Sequence, residues 1–426
     1  MPDRQFDRMA AINTKTSRST MSKANAPAGK RKRDVRLDFF RGLCLFIIFM
    51  AHMIGNPWAD WIPAKFGFSD ATEIFVFCSG MASAIAFGSV FRNHGYVVGI
   101  GRIAFRVWQV YWAHISVFMV TLVCMIMIDW QLGGDNYIRG LMMQHLLNEN
   151  AQSAIVGLFT LTFVPPYFDI LPMYLVILLM LPIVVALAQV GRVYAAAFIV
   201  GLWLISNFNL THLPREPWGD DVWFFNPFAW QLIFFSGFAF MRGWLPPPPT
   251  DRRLIWAAVA VLVLSVPFDW WPLMSQFQVL QDGREALGPL INKTNFGILR
   301  FVHFLSLAYL SYILVGEEGR RLTGPLVRVI CKVGQQSLGV FIAGLVLSFL
   351  AATFLNVAGS TYLTVPLANL GGFAILIAIA YGVAWFKSAP WSKPAPATTA
   401  PAPGPGGIRG VARQDGDWSS KPSPAE

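Results

Sequence analysis

Long apolar stretches recur along most of this 426-residue chain and constrain its fold more than any other feature. A helix needs about 20 apolar residues to cross a bilayer, and lipid leaves no other way to satisfy the backbone of such a segment outside a closed barrel. The pattern predicts an all-α, polytopic membrane protein with about ten transmembrane helices. The predicted spans are 37–54, 71–91, 103–128, 171–190, 194–209, 227–243, 253–270, 297–315, 334–355 and 365–386.

The composition argues against a water-soluble enzyme, because only 13% of the residues are charged and soluble domains carry about 25%. A net charge of +10 would suggest nucleic acid in a soluble protein. In a membrane protein it indicates cytoplasmic loops, and the short loops after every second span hold eleven basic residues. These are Arg92, Arg102, Arg106, Arg192, Arg242, Arg252, Arg253, Arg320, Arg321, Arg328 and Lys332. The longer opposite loops hold six, so both termini are predicted to be cytoplasmic.

The two ends of the chain differ from its membrane body. Residues 1–33 are polar and end in a basic run, which predicts a disordered cytoplasmic tail that meets anionic lipid headgroups. Residues 388–426 are rich in Pro, Ala and Gly and predict a second disordered tail. The membrane domain is therefore 34–387. Within it, 137–165 is only mildly apolar and is interpreted as interfacial or partly buried.

The cysteines give no sign of a metal centre or a disulfide framework. The four thiols lie in or beside apolar stretches without CxxC spacing. They are interpreted as small buried hydrophobes, and no metal site is predicted.

Span 1 carries ionisable residues along one stripe. Arg41 and His52 are eleven positions apart, which places them within about 20° of each other and about 16 Å apart along a helix. Asp38 lies near the same stripe. Ionisable groups in spans are costly and tend to be functional, although Arg41 is also explained by snorkelling to headgroups and His52 by packing. We interpret His52 as a site residue at the outer end and Arg41 as one at the inner end.

Two acids open span 2 at its outer end. Asp70 and Glu73 are three residues apart and so share a helical face. A capping box explains this spacing, but it leaves Glu73 as an expensive choice beside an apolar run. A carboxylate near His52 would orient that histidine and raise its basicity, as base catalysis requires. The functional and the structural interpretation both remain open at this point.

Other polar residues fall on the same outer side. They lie in the outer halves of their spans or in the adjoining loops: Asp169, Tyr174, Asn226, Gln231, Lys293, Asn295, Arg300 and His303. Aromatic belts and helix starts explain some of them singly. A transport path would place such groups nearer the midplane, whereas an outward polar cavity suits a hydroxylated acceptor such as a sugar. His114, within span 3, is either core or site.

Several of these motifs, in this order, resemble the OpgC family of inner-membrane proteins that modify osmoregulated periplasmic glucans. They are residues 33–42 (RDVRLDFFRG), 67–73 (GFSDATE), 169–172 (DILP), 225–231 (FNPFAWQ) and 293–295 (KTN), with Arg300 and His303. The resemblance covers about 33–386. More distantly, it extends to the acyltransferase-3-like membrane proteins, whose first span carries an Arg and a His at the spacing of Arg41 and His52. Around 334–341 relatives are expected to show a His and an acid where this chain has Gln336 and Gly339.

The resemblance implies O-acyl transfer, classically of succinyl, from cytoplasmic acyl-CoA (succinyl-CoA) onto hydroxyls of a periplasmic glucan. It implies a multi-pass protein of the bacterial inner membrane that binds no resident cofactor and works beside other glucan-synthesis proteins. The hypothesis for catalysis is that His52 deprotonates the sugar hydroxyl, oriented by Glu73 or Asp70. Arg41 would assist the donor, and Arg300 and Lys293 would bind the succinyl carboxylate.

Two other functions remain open. A transporter or flippase of a polar metabolite or acyl donor would predict midplane charges and inverted repeats, neither of which the sequence displays. A non-catalytic membrane partner of a glucan synthase would leave His52 and Glu73 replaceable.

Overall fold

The structure is a computed structural model that describes residues 34–148 and 150–391. The predicted tail 1–33 and all but the first four residues of 388–426 lie outside the described residues. Within the described ranges the chain is helical and contains no strand. One isolated β-bridge joins Pro214 to Val222. The all-α prediction is confirmed for these residues.

The described chain contains fifteen α-helices, numbered here in chain order. They are α1 (Val35–His52), α2 (Ala71–Leu132), α3 (Asn136–Gly140), α4 (Ala151–Thr160), α5 (Ile170–Val190), α6 (Arg192–Asn207), α7 (Pro227–Arg242), α8 (Arg252–Asp269), α9 (Trp271–Met274), α10 (Gln278–Ala286), α11 (Gly288–Ile291), α12 (Ile298–Val315), α13 (Pro325–Gln335), α14 (Ser337–Ala358) and α15 (Thr364–Lys387). Short 3₁₀ helices occupy Pro57–Trp61, Pro63–Lys65, Met143–Leu146 and Glu317–Gly319.

Five of the described helices, α2, α5, α12, α14 and α15, are long and apolar enough to cross a membrane. The remaining predicted spans also fold as helices, namely α1, α6, α7 and α8, but these are shorter or more polar. A membrane protein is therefore supported, while ten spans and an acyltransferase-3-like arrangement stay predictions. The segment interpreted as interfacial contains only α3, one 3₁₀ turn and α4.

Helix α2 contains two predicted spans in one run of 62 residues. At 1.5 Å per residue a straight helix of this length would measure about 93 Å, three times the hydrocarbon thickness. Gly95 interrupts it with φ 84° and ψ 176°, a conformation open to glycine and strained for other residues. The ring of Phe91 lies against Gly99 and Tyr96 across this break, so the chain reverses direction there.

Two close helix crossings fix the centre of the bundle. A Cβ on Gly80 of α2 would lie 1.9 Å from the Phe234 carbonyl oxygen of α7, and one on Gly237 would lie 2.2 Å from that of Phe77. Small residues of this kind let membrane helices approach backbone to backbone. The crossing holds the end of α2 that is predicted to face outward (the outer end, with its two acids) beside α7 and the loop that precedes it.

The second crossing joins α1 to α13. A Cβ on Gly42 would lie 2.0 Å from the carbonyl oxygen of Ile330, and one on Gly334 would lie 1.9 Å from that of Asp38. Just beyond it the chain leaves helical geometry at Gln336 (φ −108°, ψ 30°) before α14 begins. The predicted span 334–355 is therefore preceded by a separate helix. The break between them lies beside the end of α1 that is predicted to face the cytoplasm (the inner end).

The described residues separate into two compact units after Ala384. In the second unit Trp385, Phe386 and Trp391 pack ring against ring. The four cysteines, all within the described residues, form no disulfide, and Cys44, Cys78 and Cys331 are buried, as the apolar interpretation predicts.

Candidate active site

The outer end of α2 begins with the capping box that the spacing of its acids predicts. The Asp70 side chain accepts from the N–H of Thr72 at 2.7 Å, and Glu73 accepts from the N–H of Asp70 at 2.8 Å. The structural interpretation of this pair is thus realised. It accounts for one oxygen of Glu73 and leaves the other to a different partner.

The second oxygen of Glu73 accepts from Arg300 of α12. The Arg300 Nε lies 2.8 Å and its Nη2 2.5 Å from Glu73 Oε1, and the Glu73 side chain is wholly buried. Lys293 donates to Asp70 Oδ2 at 2.5 Å, and Arg300 lies 3.7 Å from the same oxygen. Two acids and two cations therefore form one neutral cluster, as buried charges require.

His52, the last residue of α1, lies near this cluster but is oriented by the backbone. Its Nδ1 is 2.8 Å from the carbonyl oxygen of Ile48. A carbonyl only accepts, so Nδ1 carries the proton and Nε2 is left as the basic nitrogen. The charges of Asp70 and Lys293 act on His52, while the described hydrogen bonds of Glu73 go to Asp70 and Arg300.

Tyr167 covers His52 and was not among the predicted site residues. The two ring centroids are 5.5 Å apart in an edge-to-face arrangement. Tyr167 has φ 72°, a conformation that is uncommon for a residue with a side chain. The two prolines before it, Pro165 and Pro166, were the one sequence signal of an unusual turn at this point.

His303 joins the same outer end of the bundle. Its Nδ1 lies 2.7 Å from the hydroxyl of Ser69, and it is one helical turn from Arg300. A Cβ on Gly67 would lie 2.2 Å from His303 Nε2, so the glycine of the 67–73 motif makes room for this ring. Ser69 is a further residue of the site that sequence reasoning did not single out.

Asn226 and Asn295 hold the loop that carries Lys293. Asn226 donates to Asn295 Oδ1 at 3.1 Å, and Asn295 donates to Asn209 Oδ1 at 2.7 Å. The indole of Trp230 donates to the Lys293 carbonyl at 2.9 Å. Both amide side chains are buried and form hydrogen bonds within the protein. They therefore position the loop from which Lys293 reaches Asp70.

Gln231 and Tyr174 point elsewhere. Gln231 is fully buried and donates to the Ile199 carbonyl of α6 at 2.7 Å. Tyr174 packs its ring on Phe234 at 6.0 Å between centroids. No described contact joins either side chain to His52, and their predicted substrate role rests on the sequence alone.

Asp169 lies in the loop before α5, only 3% exposed. Its carboxyl interacts with the backbone N–H groups of Phe224 and Tyr167 and with the charge of Arg215. Burial raises the pKa of this carboxyl to about 7. Tyr167 contacts the ring of His52, and the ring of Phe224 lies 5.7 Å from Lys293 Nζ, so the two residues whose backbone Asp169 meets contact the histidine and the charged cluster.

The inner end of α1 forms a second polar group. Arg41 donates to the Ser337 hydroxyl at the start of α14, and Gln335 donates to Asp38 Oδ2 at 3.2 Å. The Arg41 Nε is buried and has no hydrogen-bond partner within the described residues. Arg41 and Asp38 thus belong to one end of α1 and His52 to the other, as the predicted stripe requires.

A narrow apolar seam lies between α1 and α14 and extends from His52 to Leu45. It is a cavity of about 10 Å³ lined by Leu45, Ile48, Phe49, His52, Val340, Phe341, Gly344 and Leu345. This volume holds about one water. The positions of the expected departures, Gln336 and Gly339, lie at the start of α14 and do not line this cavity.

His114 is fully buried, and neither of its ring nitrogens has a hydrogen-bond partner within the described ranges. Of the two interpretations left open for this residue, its surroundings favour the core.

The comparisons with known proteins identify the family. A family model described as "OpgC protein" matches residues 33–388, most of the chain. No match was found among curated proteins or among solved structures. The matched residues include both ends of α1, the acids of α2, Lys293 and Arg300.

Proposed function

We propose, since the chain belongs to the OpgC family, that it is a membrane O-acyltransferase that modifies hydroxyls of periplasmic glucans. The proposed setting is the bacterial inner membrane with both termini cytoplasmic. The acceptor approaches the outer end of the bundle, and the donor is a cytoplasmic acyl-CoA. No resident cofactor is needed for this reaction.

The observation that carries the proposal is the state of His52. Because Nδ1–H donates to the Ile48 carbonyl, the ring is held in one tautomer with Nε2 as base. General-base catalysis needs a nitrogen that is unprotonated and fixed within reach of the reacting hydroxyl. A backbone carbonyl therefore does for His52 what the sequence hypothesis assigned to Glu73 or Asp70.

In the proposed step, Nε2 of His52 takes the proton from a sugar hydroxyl. The sugar oxygen attacks the thioester carbonyl carbon, and the carbon–sulfur bond breaks. The CoA thiolate then recovers the proton from the imidazolium. Atoms and charge balance without any further reactant.

The carboxylates act on this step through electrostatics and position. Asp70 favours the imidazolium that forms on His52, and Lys293 opposes it. The cluster of Asp70, Glu73, Lys293 and Arg300 has no net charge. It therefore holds the outer end of α2 in place without adding a net positive or negative charge to the site. The hydrogen bond between His303 and Ser69 also helps to position the start of α2.

The donor is proposed to enter from the inner end of α1. Arg41, with its unpartnered Nε, and the start of α14 are suited to an anionic group of acyl-CoA. The seam from Leu45 to His52 then leads the acyl thioester outward. At about 10 Å³ it is closed, so α1 and α14 must separate to admit the donor.

We propose succinyl as the acyl group. Its carboxylate would meet Lys293, which is the more exposed of the two clustered cations at 31% against 11% for Arg300. Both cations already have acid partners, so the carboxylate would exchange with Asp70 at Lys293. Asp169 is proposed to belong to the acceptor side, and Asn226 and Asn295 to support the loop that carries Lys293. A role for Tyr174 and Gln231 in acceptor binding is proposed from their sequence positions alone.

Mass spectrometry of periplasmic glucans tests this proposal. A deletion strain should lack the mass of one acyl unit that the parent strain adds, and the full-length gene should restore it. The added mass identifies the acyl group at the same time. Identical glucan spectra from the parent, deletion and complemented strains would contradict the proposal.

A further inference from the structure

Three buried polar groups close to Asp169 have no hydrogen-bond partner within the described residues. They are Asp169 Oδ1, the indole Nε1 of Trp223 and the Nε of Arg215. Asp169 and Trp223 are each only 3% exposed. Buried polar atoms are normally satisfied, and an unsatisfied one costs about 1–3 kcal/mol, so three orphans in adjoining segments call for a physical reason.

Two loops bring these groups together. The turn 163–169 meets the hairpin 211–224 through a hydrogen bond from the Val164 N–H to the Arg215 carbonyl at 2.8 Å. The Trp223 N–H donates to the Leu213 carbonyl at 2.9 Å and closes the hairpin. The Asp169 carboxyl in turn interacts with the Phe224 N–H and with the Arg215 charge.

The chemistry of the orphans defines what would satisfy them. A carboxylate oxygen only accepts, while an indole N–H and a guanidinium N–H only donate. A hydroxyl group does both, so one acceptor and two donors on adjoining loops complement the several hydroxyls of a sugar. The same two loops carry aromatic rings, because Trp218 of the hairpin packs on Phe163 of the turn at 5.2 Å and on His145 at 4.5 Å between ring centroids. Trp218 and His145 are both partly exposed. Aromatic faces beside polar groups suit a molecule with one apolar face and many hydroxyls.

We propose that Asp169, Trp223 and Arg215 form a subsite that binds a sugar unit of the glucan acceptor through its hydroxyls. The subsite rests on the proposed function for its place in the reaction. It adjoins the reacting centre, since Tyr167 lies between Asp169 and His52. The polar atoms are buried, so the 211–224 hairpin shifts outward to admit the sugar.

Binding of a linear glucose oligosaccharide to the full-length protein in nanodiscs tests the subsite. Calorimetry without any acyl donor excludes turnover. Trp223→Phe deletes the N–H and keeps the ring system mostly apolar, and Asp169→Asn keeps the shape. Each should weaken binding about three- to tenfold, the loss expected for one or two hydrogen bonds. Trp256→Phe, on an exposed face of α8, is the matched control and should bind as wild type does.

Unchanged affinity in both variants, or no binding by wild type, would overturn the subsite. Melting temperatures of each variant in the same nanodiscs separate lost binding from lost folding, and a variant that unfolds is replaced by Arg215→Lys. The two proposals fail separately. Variant-sensitive binding in a protein that transfers no acyl group leaves the subsite standing, whereas normal glucan acylation by both variants removes the subsite and spares the enzyme.

Discussion

His52 differs from the other histidines of the described chain in its combination of contacts. His114 is sealed in the core, and His303 is held by Ser69. His52 alone ends the first helix with Nδ1 bound to a backbone carbonyl, an aromatic ring beside it and a charged cluster nearby. The function proposed for this residue depends on that combination rather than on its being a histidine in a span.

The Glu73–Arg300 pair allows structure and function to be separated. Arg300→Ala would leave Glu73 buried without its partner, which costs about 3–5 kcal/mol, so protein abundance in the membrane should fall. A double replacement, Glu73→Leu with Arg300→Leu, should recover abundance, because apolar pairs replace buried ion pairs well. Immunoblots of membranes and glucan acylation are measured together.

Acylation in that double variant decides the role of the pair. We expect none, because the double variant loses both the Glu73 cap on the Asp70 N–H and the second cation beside Asp70. Full acylation at normal abundance would mean that the pair has only a structural role, which is the interpretation that the capping box alone supports.

Asp169 predicts how thermal stability changes with pH. Burial raises its pKa to about 7, from 3.8 in the unfolded chain. A raised carboxyl pKa means that the folded state binds the proton more tightly, so its contribution to stability is complete below pH 3.8 and declines as pH rises towards 7. The melting temperature of wild type should therefore fall relative to that of Asp169→Asn between pH 5 and 8. Parallel curves for the two proteins would contradict the pKa.

At the scale of elements, sequence patterns predicted where helices lie better than how they meet. The apolar runs located α5, α12, α14 and α15, and the spacing of Asp70 and Glu73 predicted the start of α2. Hydropathy carries no signal for the separate helix α13, the break at Gln336 or the reversal at Gly95 inside one long helix. Those features depend on backbone contact between helices far apart in the chain.

The candidate site divides in the same way. One-sidedness along the spans predicted that His52, Asp70, Lys293 and Arg300 would gather at the outer end. It could not predict that Asn226 and Asn295 face each other, because the direction of a side chain depends on tertiary packing. The sequence also could not predict that the Ile48 carbonyl orients His52, because every residue has a backbone carbonyl and the sequence does not indicate which one a side chain will contact.

The crossing of α1 and α13 gives a prediction at this scale. Gly334→Ala places a methyl 1.9 Å from the Asp38 carbonyl oxygen, so α13 must move away from Asp38 and Arg41. Overpacking of this kind costs about 1–3 kcal/mol, and both the melting temperature and acylation should fall. Gly339→Ala is the matched control, because its Cβ would meet only Val383 at 3.6 Å. Equal effects of the two changes would show that the crossing does not position the inner polar group.

Across the whole molecule, the basic residues are predicted to lie mainly on the cytoplasmic side of the membrane. Eleven basic residues in four short loops against six in the longer opposite loops put both termini in the cytoplasm. Alkaline phosphatase fused after Gly243 should be inactive, and phosphatase fused after Asp220 in the opposite loop should be active. The reverse pattern would contradict the predicted orientation, because the polar site would then face the cytoplasm, where the acyl donor is.

The central claim is that His52 is the base of a glucan acyltransferase, and acylation by His52→Ala tests it most directly. The deletion strain carries wild type, His52→Ala or His212→Ala, the last a control in an exposed outer loop. Membrane abundance is quantified by immunoblot, and periplasmic glucans are measured by mass spectrometry. We predict that His52→Ala is as abundant as wild type and adds no acyl group, while His212→Ala acylates normally. Normal acylation by His52→Ala at equal abundance would contradict the account.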